Sequence, residues 1–380
     1  MDEEEPPVLT AVSSSARQLF MLLRCIAFAS KAHVTISEEG VKLSVDEASV
    51  MEASVFLDKS LFTTYTFRAP PPQPNPEHSD SDDDEPEPNT APNFQISLTA
   101  LLETLQIFGL TDPSSTRPPW ARDNPYPTST AFSNNVLGMN NLCRISYDSP
   151  GAPLSIVLTE ASIRTSCDLT TYEPDYADEI PFDRHSLAFK TIMRGSWLYD
   201  AISELSSTSP EKLTMYAKTV RGKPFFALSS SGTLGSARVE FNNEPRPSAF
   251  RTLAPANPSI GDDAPEPQTN LLETFQLSDP QDILRSTYKF SLVQKAARAM
   301  SVSTKVSVRA DTQGVLSLQF MVEVESAGSG APGGKISFVD FRFVPLVEDE
   351  EDDVGGGDVD ETLMQNGNAS DHEDSDTSML

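Results

Sequence analysis

The chain has 380 residues, 30 prolines and a formal charge of -28. Its length exceeds what one compact core usually fills, so two domains with segments outside them are expected. Charge and proline spread evenly at this level would exclude a folded body, but the acid is concentrated: 24 of the 56 acidic residues sit in three stretches without Lys or Arg, leaving -4 for the rest.

Those stretches are residues 1–5 with four acids, 69–93 with seven and 346–380 with thirteen. Runs of like charge stay solvated, so acidic, disordered segments are expected on a nearly neutral body. Cys25, Cys143 and Cys167 are widely spaced among apolar or strand-like residues, which suits reduced structural thiols of cytosol or nucleus. The terminus opens on acid and lacks a basic stretch followed by an apolar run, so no secretory signal is read. No membrane partner is expected either, because no stretch approaches the ~20 apolar residues that span a bilayer.

From Val8 the spacing predicts strand 7–12, a helix from Ser13–Ser15 to Ala29, and strands 33–40, 41–48 and 50–57. Glu39 and Gly40 mark a hairpin corner. Strand 62–67 runs into the proline-rich insertion 69–93, which no sheet absorbs because proline withdraws backbone donors. The chain resumes with strand 93–98, helix 99–109, a second Pro- and Asn-rich loop at 111–140, and strands 142–148, 154–160 and 162–169. An extended acidic connector spans 169–186. Beyond it come strand 187–193, helix 195–207, strands 212–219, 224–231 and 237–243, a Pro-rich loop at 245–270, strand 287–292, helix 293–302, and strands 305–311, 314–324 and 335–346.

The same order is thus written twice. "FQISL" at 94–98 is echoed by "YKFSL" at 288–292, and "PGAPLSIVL" at 150–158 by "TQGVLSLQF" at 312–320. Four helices among many strands in two similar halves is the pattern of a duplicated α+β unit.

The helices differ in what they present outward. Leu19, Leu22, Leu23 and Ile26 share one face of the first, with Arg17 and Arg24 opposite. In the fourth, Val293, Ala297 and Met300 are expected inward, with Lys295 and Arg298 outward. The third helix presents Asp200 and Glu204 instead, and the second presents Glu103.

No motif announces an active site, a resident cofactor or a metal. "GSGAPGGK" at 328–335 contains a GxGxxG spacing, but a phosphate cradle needs those glycines to open a helix, and here they lead into the strand "KISFVDFRF". The Asp-x-Glu spacing of two-metal nucleases occurs only inside acidic runs, at Asp2/Glu4, Asp83/Glu85, Asp349/Glu351 and Asp371/Glu373, where composition alone generates it. Asp46 and Glu47 follow a strand and read as a turn or surface pair. His33, His78, His185 and His372 have no ligand-spaced partner, and no G-x-S-x-G elbow is present.

The segment "ISEEGVKLSVDEASVMEASVFL" at 36–57 resembles the S-x-x-G-V-x-L-x-x-x-D-x-x-x-V stretch of eukaryotic sliding clamps. It is closer to the checkpoint clamp, the nine-one-one heterotrimer, and within it to the Rad-one subunit family, through Glu39, Gly40, Val41, Lys42, Leu43, Val45, Asp46 and Ala48. "SVRADTQGVLSLQFMV", "ISFVDFRFVP" and "KPFFALSSSGTLGSARVEF" are similar to other parts of that family.

The resemblance implies a two-domain sliding-clamp fold, with clamp domains at 8–168 and 187–346. Each would be a duplicated βαβββ unit with two helices inside a curved antiparallel sheet. It implies a nuclear, non-catalytic subunit of a heterotrimeric ring with two paralogous clamp subunits, placed on DNA by a loader related to replication factor C. Double-stranded DNA would pass through the ring, and checkpoint and repair proteins would bind it.

On that reading Arg17, Arg24, Lys295 and Arg298 face phosphate, with Lys190 and Arg194 as weaker candidates. The acidic second and third helices depart from the wholly basic lining of replicative clamps. Edge strands "SIRTSCDL" and "ARVEFNN", or their neighbours, would be covered in the complex. The alternatives are a 3′ to 5′ exonuclease, an activity credited to members of the family, and a replicative homotrimer, which the long insertions and incomplete basic lining oppose. Ser79, Ser81 and Ser370, each with an acid three residues on, are candidate phosphorylation sites set against plain solvation.

Overall fold

The computed structural model describes residues 6–69, 91–107, 142–160, 163–174, 179–242, 271–324 and 335–347. Ser79, Ser81 and Ser370, the acidic terminus and tail, and nearly all of the three expected insertions lie outside them. The described residues up to Pro345 belong to one compact body.

In the first half the elements are β1 (Leu9–Ser13), α1 (Ala16–Leu23), β2 (Lys31–Ile36), β3 (Gly40–Glu47), β4 (Met51–Asp58), β5 (Thr64–Phe67), β6 (Asn93–Ser97), α2 (Leu98–Leu105), β7 (Leu142–Tyr147), β8 (Leu154–Glu160) and β9 (Ile163–Leu169). The second half holds β10 (Leu187–Arg194), α3 (Gly195–Ser206), β11 (Lys212–Val220), β12 (Lys223–Gly232), β13 (Gly235–Asn242), β14 (Thr274–Leu277) and β15 (Leu284–Lys289). It ends with α4 (Phe290–Gln294), α5 (Ala297–Val302), β16 (Lys305–Asp311), β17 (Leu316–Val324) and β18 (Lys335–Phe343).

A serine cap starts each of the first two helices. Ser15 Oγ accepts the Gln18 N–H at 3.3 Å and Ser97 Oγ accepts the Ala100 N–H at 3.2 Å, each satisfying a backbone donor that the helix leaves open. The strands alternate as half-buried strands do: β1 buries Leu9, Ala11 and Ser13 while Thr10 and Val12 are partly exposed. Gly40 opens β3 at φ +156 with its missing side chain pressed against β4; a Cβ there would lie 2.3 Å from the Leu57 carbonyl oxygen.

The described residues form three sheets, and every strand pair in them is antiparallel. Their orders are β5-β1-β7-β8-β9, β14-β10-β16-β17-β18-β4-β3-β2-β6 and β13-β12-β11-β15. The duplication is visible in these orders. β5-β1-β7-β8-β9 matches β14-β10-β16-β17-β18, and β4-β3-β2-β6 matches β13-β12-β11-β15. The nine-stranded sheet is therefore the junction of the two halves, made where β18 pairs with β4 from Val339↔Val55 to Phe343↔Met51.

The similar segments noted in the sequence occupy matching places: β6 and β15 end the shorter orders, and β8 and β17 precede the final strand of the longer ones. Two details differ from the sequence reading. β14 lies between the loop at 245–270 and the strand at 287–292, in a stretch to which the sequence assigned no element, and pairs with β10 as β5 pairs with β1. The expected helix 293–302 is two short helices, and Phe290–Leu292, expected in the strand, already belong to α4.

Candidate nucleic-acid interface

The helices form a row. α1 packs beside α2, the 3-10 turn Arg24–Ile26 that follows α1 touches α5, and α5 packs beside α3. All of these lie against the nine-stranded sheet, since α1 reaches β4, α2 reaches β2 and β6, α3 reaches β10 and β16, and α5 reaches β17. The row is α2, α1, α5, α3, so its centre is the seam between the two halves.

Charge is segregated along this row. α1 and its following turn present Arg17 and Arg24, both exposed, and Arg24 lies over the Phe20 ring at 5.7 Å. At the two ends, α2 presents Glu103 and α3 presents Asp200 and Glu204, all exposed. A basic centre with acidic flanks follows.

Lys295 and Arg298 belong to that centre but are not the outward cations expected from helical spacing. Lys295 Nζ pairs with Glu47 at the end of β3 and lies 5.5 Å from the Phe28 ring centre, which draws it back to the seam. Arg298 is half-buried: its Nη2 donates toward Met21 Sδ at 3.5 Å, and its buried Nε has no hydrogen-bond partner among the described residues. Burial pushes the Cys25 thiol up to about 12 against the opposing pull of Arg298 and Arg24. Both guanidiniums are therefore close to this one thiol and to each other's field.

Lys190 is displaced from the expected surface. Phe189, Thr191 and Met193 of β10 are buried, while Lys190 stands opposite Arg309 of β16 and Gln276 of β14. Directly opposed residues share a face, so Lys190, Arg309, Ser317, Arg342 and Glu52 lie on one side of the nine-stranded sheet. That side carries the connector. Arg342 Nη1 donates to the Ile180 carbonyl at 2.7 Å, the Ile180 N–H donates to Glu52 Oε2 at 3.1 Å, and Arg309 lies over Phe182 at 5.5 Å. Lys190 therefore lies across the sheet from the helices. Arg194 does end β10 at the helix row, exposed and 5.2 Å from the Trp197 ring centre.

Two further features of this outer side escaped the sequence reading. One step beyond Val339 and Val55 in the β18·β4 register come Phe338 and Phe56, which are 43% and 38% exposed. The second is the latch just described, which holds both backbone groups of Ile180. Burial lifts the Glu52 carboxyl above its ordinary range, with Arg342 pulling it back and Glu179 adding to the rise.

Among the described residues β9 and β13, the strands of the two candidate edge segments, each end a sheet, β9 the five-stranded one and β13 the four-stranded one. No group of three or more His, Cys, Asp or Glu that could hold a metal ion occurs among the described residues. No described helix is long and apolar enough to cross a membrane. The glycines of 328–334 lie outside the described residues, and β18 follows them as a strand.

Antiparallel sheets laid over a row of helices, written twice in one chain, define the fold of a sliding-clamp subunit. The crystal structure of the PCNA2–PCNA3 complex from Sulfolobus tokodaii has this fold, with a TM-score of 0.56 at 13% identity, covering 89% of this chain and 100% of that one. The chain belongs to the family described as repair protein Rad1/Rec1/Rad17, whose profile matches residues 8–322. It is 30% identical to the DNA damage checkpoint control protein rad1 of Schizosaccharomyces pombe over 88% of this chain and 86% of that one. To the human cell cycle checkpoint protein RAD1 it is 27% identical, over 92% and 95%. A more distant relative, 24% identical over 50% of this chain and 42% of its own, is the DNA repair exonuclease REC1 of Mycosarcoma maydis.

Proposed function

We propose that this chain is a nuclear, non-catalytic subunit of a heterotrimeric checkpoint clamp that encircles double-stranded DNA at damage sites, supports checkpoint signalling and recruits repair enzymes. Its two clamp domains would meet at β18·β4. The observation that carries the reading is that this junction exists once inside the chain while its two counterparts, β9 and β13, are left open. Each half offers a β18-like edge and a β4-like edge. Joining β9 of one subunit to the β13-like edge of the next repeats the internal junction head to tail, and a repeated head-to-tail contact whose rotation closes makes a ring.

The helix row then supports where DNA would lie. Arg17 and Arg24, with Lys295 and Arg298 behind them, offer charge to phosphate without reading sequence, so retention should fall steeply with salt. The acidic flanks confine this subunit's share to its midline. Phe56 and Phe338, on the side away from the helices, are suited to partner proteins rather than DNA.

The test is mass in solution by light scattering, for the chain alone and mixed with its two paralogous clamp subunits and a clamp loader related to replication factor C. A one-to-one-to-one ring loaded on DNA is expected. A stable homotrimer would turn the reading to a replicative-type clamp. The name of the Mycosarcoma maydis relative favours a second reading, a 3′ to 5′ exonuclease. Degradation of labelled DNA by the pure chain with magnesium or manganese, lost on carboxylate substitution in the folded body, would establish it.

A further inference from the structure

The open edge β13 carries a side chain that the chain alone leaves incompletely satisfied. Ala237, Val239 and Phe241 of β13 face Ser230, Leu228 and Phe226 of β12, so Ser236, Arg238 and Glu240 look outward. The Arg238 guanidinium lies 5.4 Å from the Tyr216 ring centre and 5.5 Å from that of Phe225. Its Nε comes within 3.0 Å of Glu240 Oε1 without hydrogen-bond alignment, and among the described residues neither Nε nor Nη2 has a hydrogen-bond partner. Arginine spread on two aromatic faces is desolvated and held in place, which makes unmade hydrogen bonds costly and a planar acceptor welcome.

The internal junction shows what arrives at that position. Val41, Leu43 and Val45 of β3 face Leu57, Val55 and Ala53 of β4, just as Phe226, Leu228 and Ser230 face Phe241, Val239 and Ala237. Arg238 therefore stands in the place of Ser54. In the junction Ser54 is opposed by Asp340 of β18. A strand that joins β13 as β18 joins β4 thus sets the counterpart of Asp340 opposite Arg238. This chain's own β18-like edge supplies no carboxylate there. Leu154↔Leu169 matches Leu316↔Phe343, which puts Ser166 in the Asp340 position.

We propose that Arg238 is a specificity-determining residue of the β13 edge, and that the neighbour joining there is a different chain whose edge strand presents a carboxylate in the Asp340 position. The inference rests on the ring reading above and deepens it, since it gives that edge a reason to prefer another subunit over a second copy. Complementary charge at an interface selects among partners more than it adds raw affinity.

The experiment measures pairwise affinity, by calorimetry, between this chain and each of its two paralogous clamp subunits, for the wild type, Arg238→Glu and Arg238→Gln. One subunit, the one that joins at β13, should bind Arg238→Glu at least about tenfold more weakly, while the other is unaffected. Arg238→Gln should show a smaller loss on the same subunit and serves if Arg238→Glu does not fold. Exchanging the neighbour's facing carboxylate for Lys should restore binding to Arg238→Glu. Undiminished binding of both subunits by a folded variant overturns the role of Arg238 while leaving the ring intact. A wild-type chain that binds neither subunit, or that closes on itself through β9 with Ser166 opposite Arg238, overturns both.

Discussion

Gly195 begins α3 at a point where the helix touches the end of α5, and a Cβ there would fall 2.0 Å from Ser303 Oγ and 2.8 Å from the Met300 carbonyl oxygen. Gly195→Ala should destabilise the chain by about 1–3 kcal/mol, read as a lower midpoint in urea unfolding. Glu52 gives a prediction with a pH sign. A carboxyl whose folded-state value is raised holds its proton more tightly folded than unfolded, so ionising it as pH rises through that raised value costs stability. Glu52→Gln, which stays neutral and keeps an acceptor for the Ile180 N–H, should gain on the wild type as pH rises above the ordinary carboxylate range and converge with it below. Melting curves of both proteins across that range check it; a gap that widens toward acid would contradict it. At this scale the sequence was readable for Arg17 and Arg24, which the spacing of α1 and its following turn places on the exposed face. Lys190 was not, because Thr191 inside and Ile192 outside blur the alternation that would have assigned its face.

Among the elements, α4 and α5 show why spacing alone misplaced two cations. Their break at Lys295 and Ala296 has no glycine or proline to announce it, and the groups that hold Lys295 and Arg298 lie 248 and 277 residues away in sequence. Lys295→Ala should therefore lower stability by roughly 0.5–1.5 kcal/mol, through the lost ion pair with Glu47 and the lost contact with Phe28. The strands were legible almost to their ends because most alternate and are bounded by turn residues. β14 was hidden by its four-residue length and by the proline-rich segment before it, and only its pairing with β10 identifies it.

For the molecule as a whole, the duplication could be seen in the order of elements and the edge strands only as candidates together with their neighbours, while the ordering of charge across the helix row could not be seen. That ordering depends on which helix lies next to which. It leads to a paired prediction on DNA retention by the assembled ring: Arg24→Glu should weaken it and flatten its dependence on salt, while Lys190→Glu, on the connector side, should change neither. Gel-shift or fluorescence titrations at several salt concentrations separate the two. Equal losses from both substitutions would mean that DNA does not follow the helix row.

The internal junction also bears on how such a ring could open. β18 and β4 belong to one polypeptide, so a break between them leaves the strands tethered at high effective concentration, which favours their re-pairing. Breaking it also disturbs the Arg342, Glu52 and Ile180 latch on the same two strands. Contacts made by β9 and β13 have no such tether, and their reclosing depends on how long the neighbour stays close. In the proposed ring the gate through which DNA would enter is thus a boundary between chains, and the covalent connector would make each subunit a fixed segment of the wall.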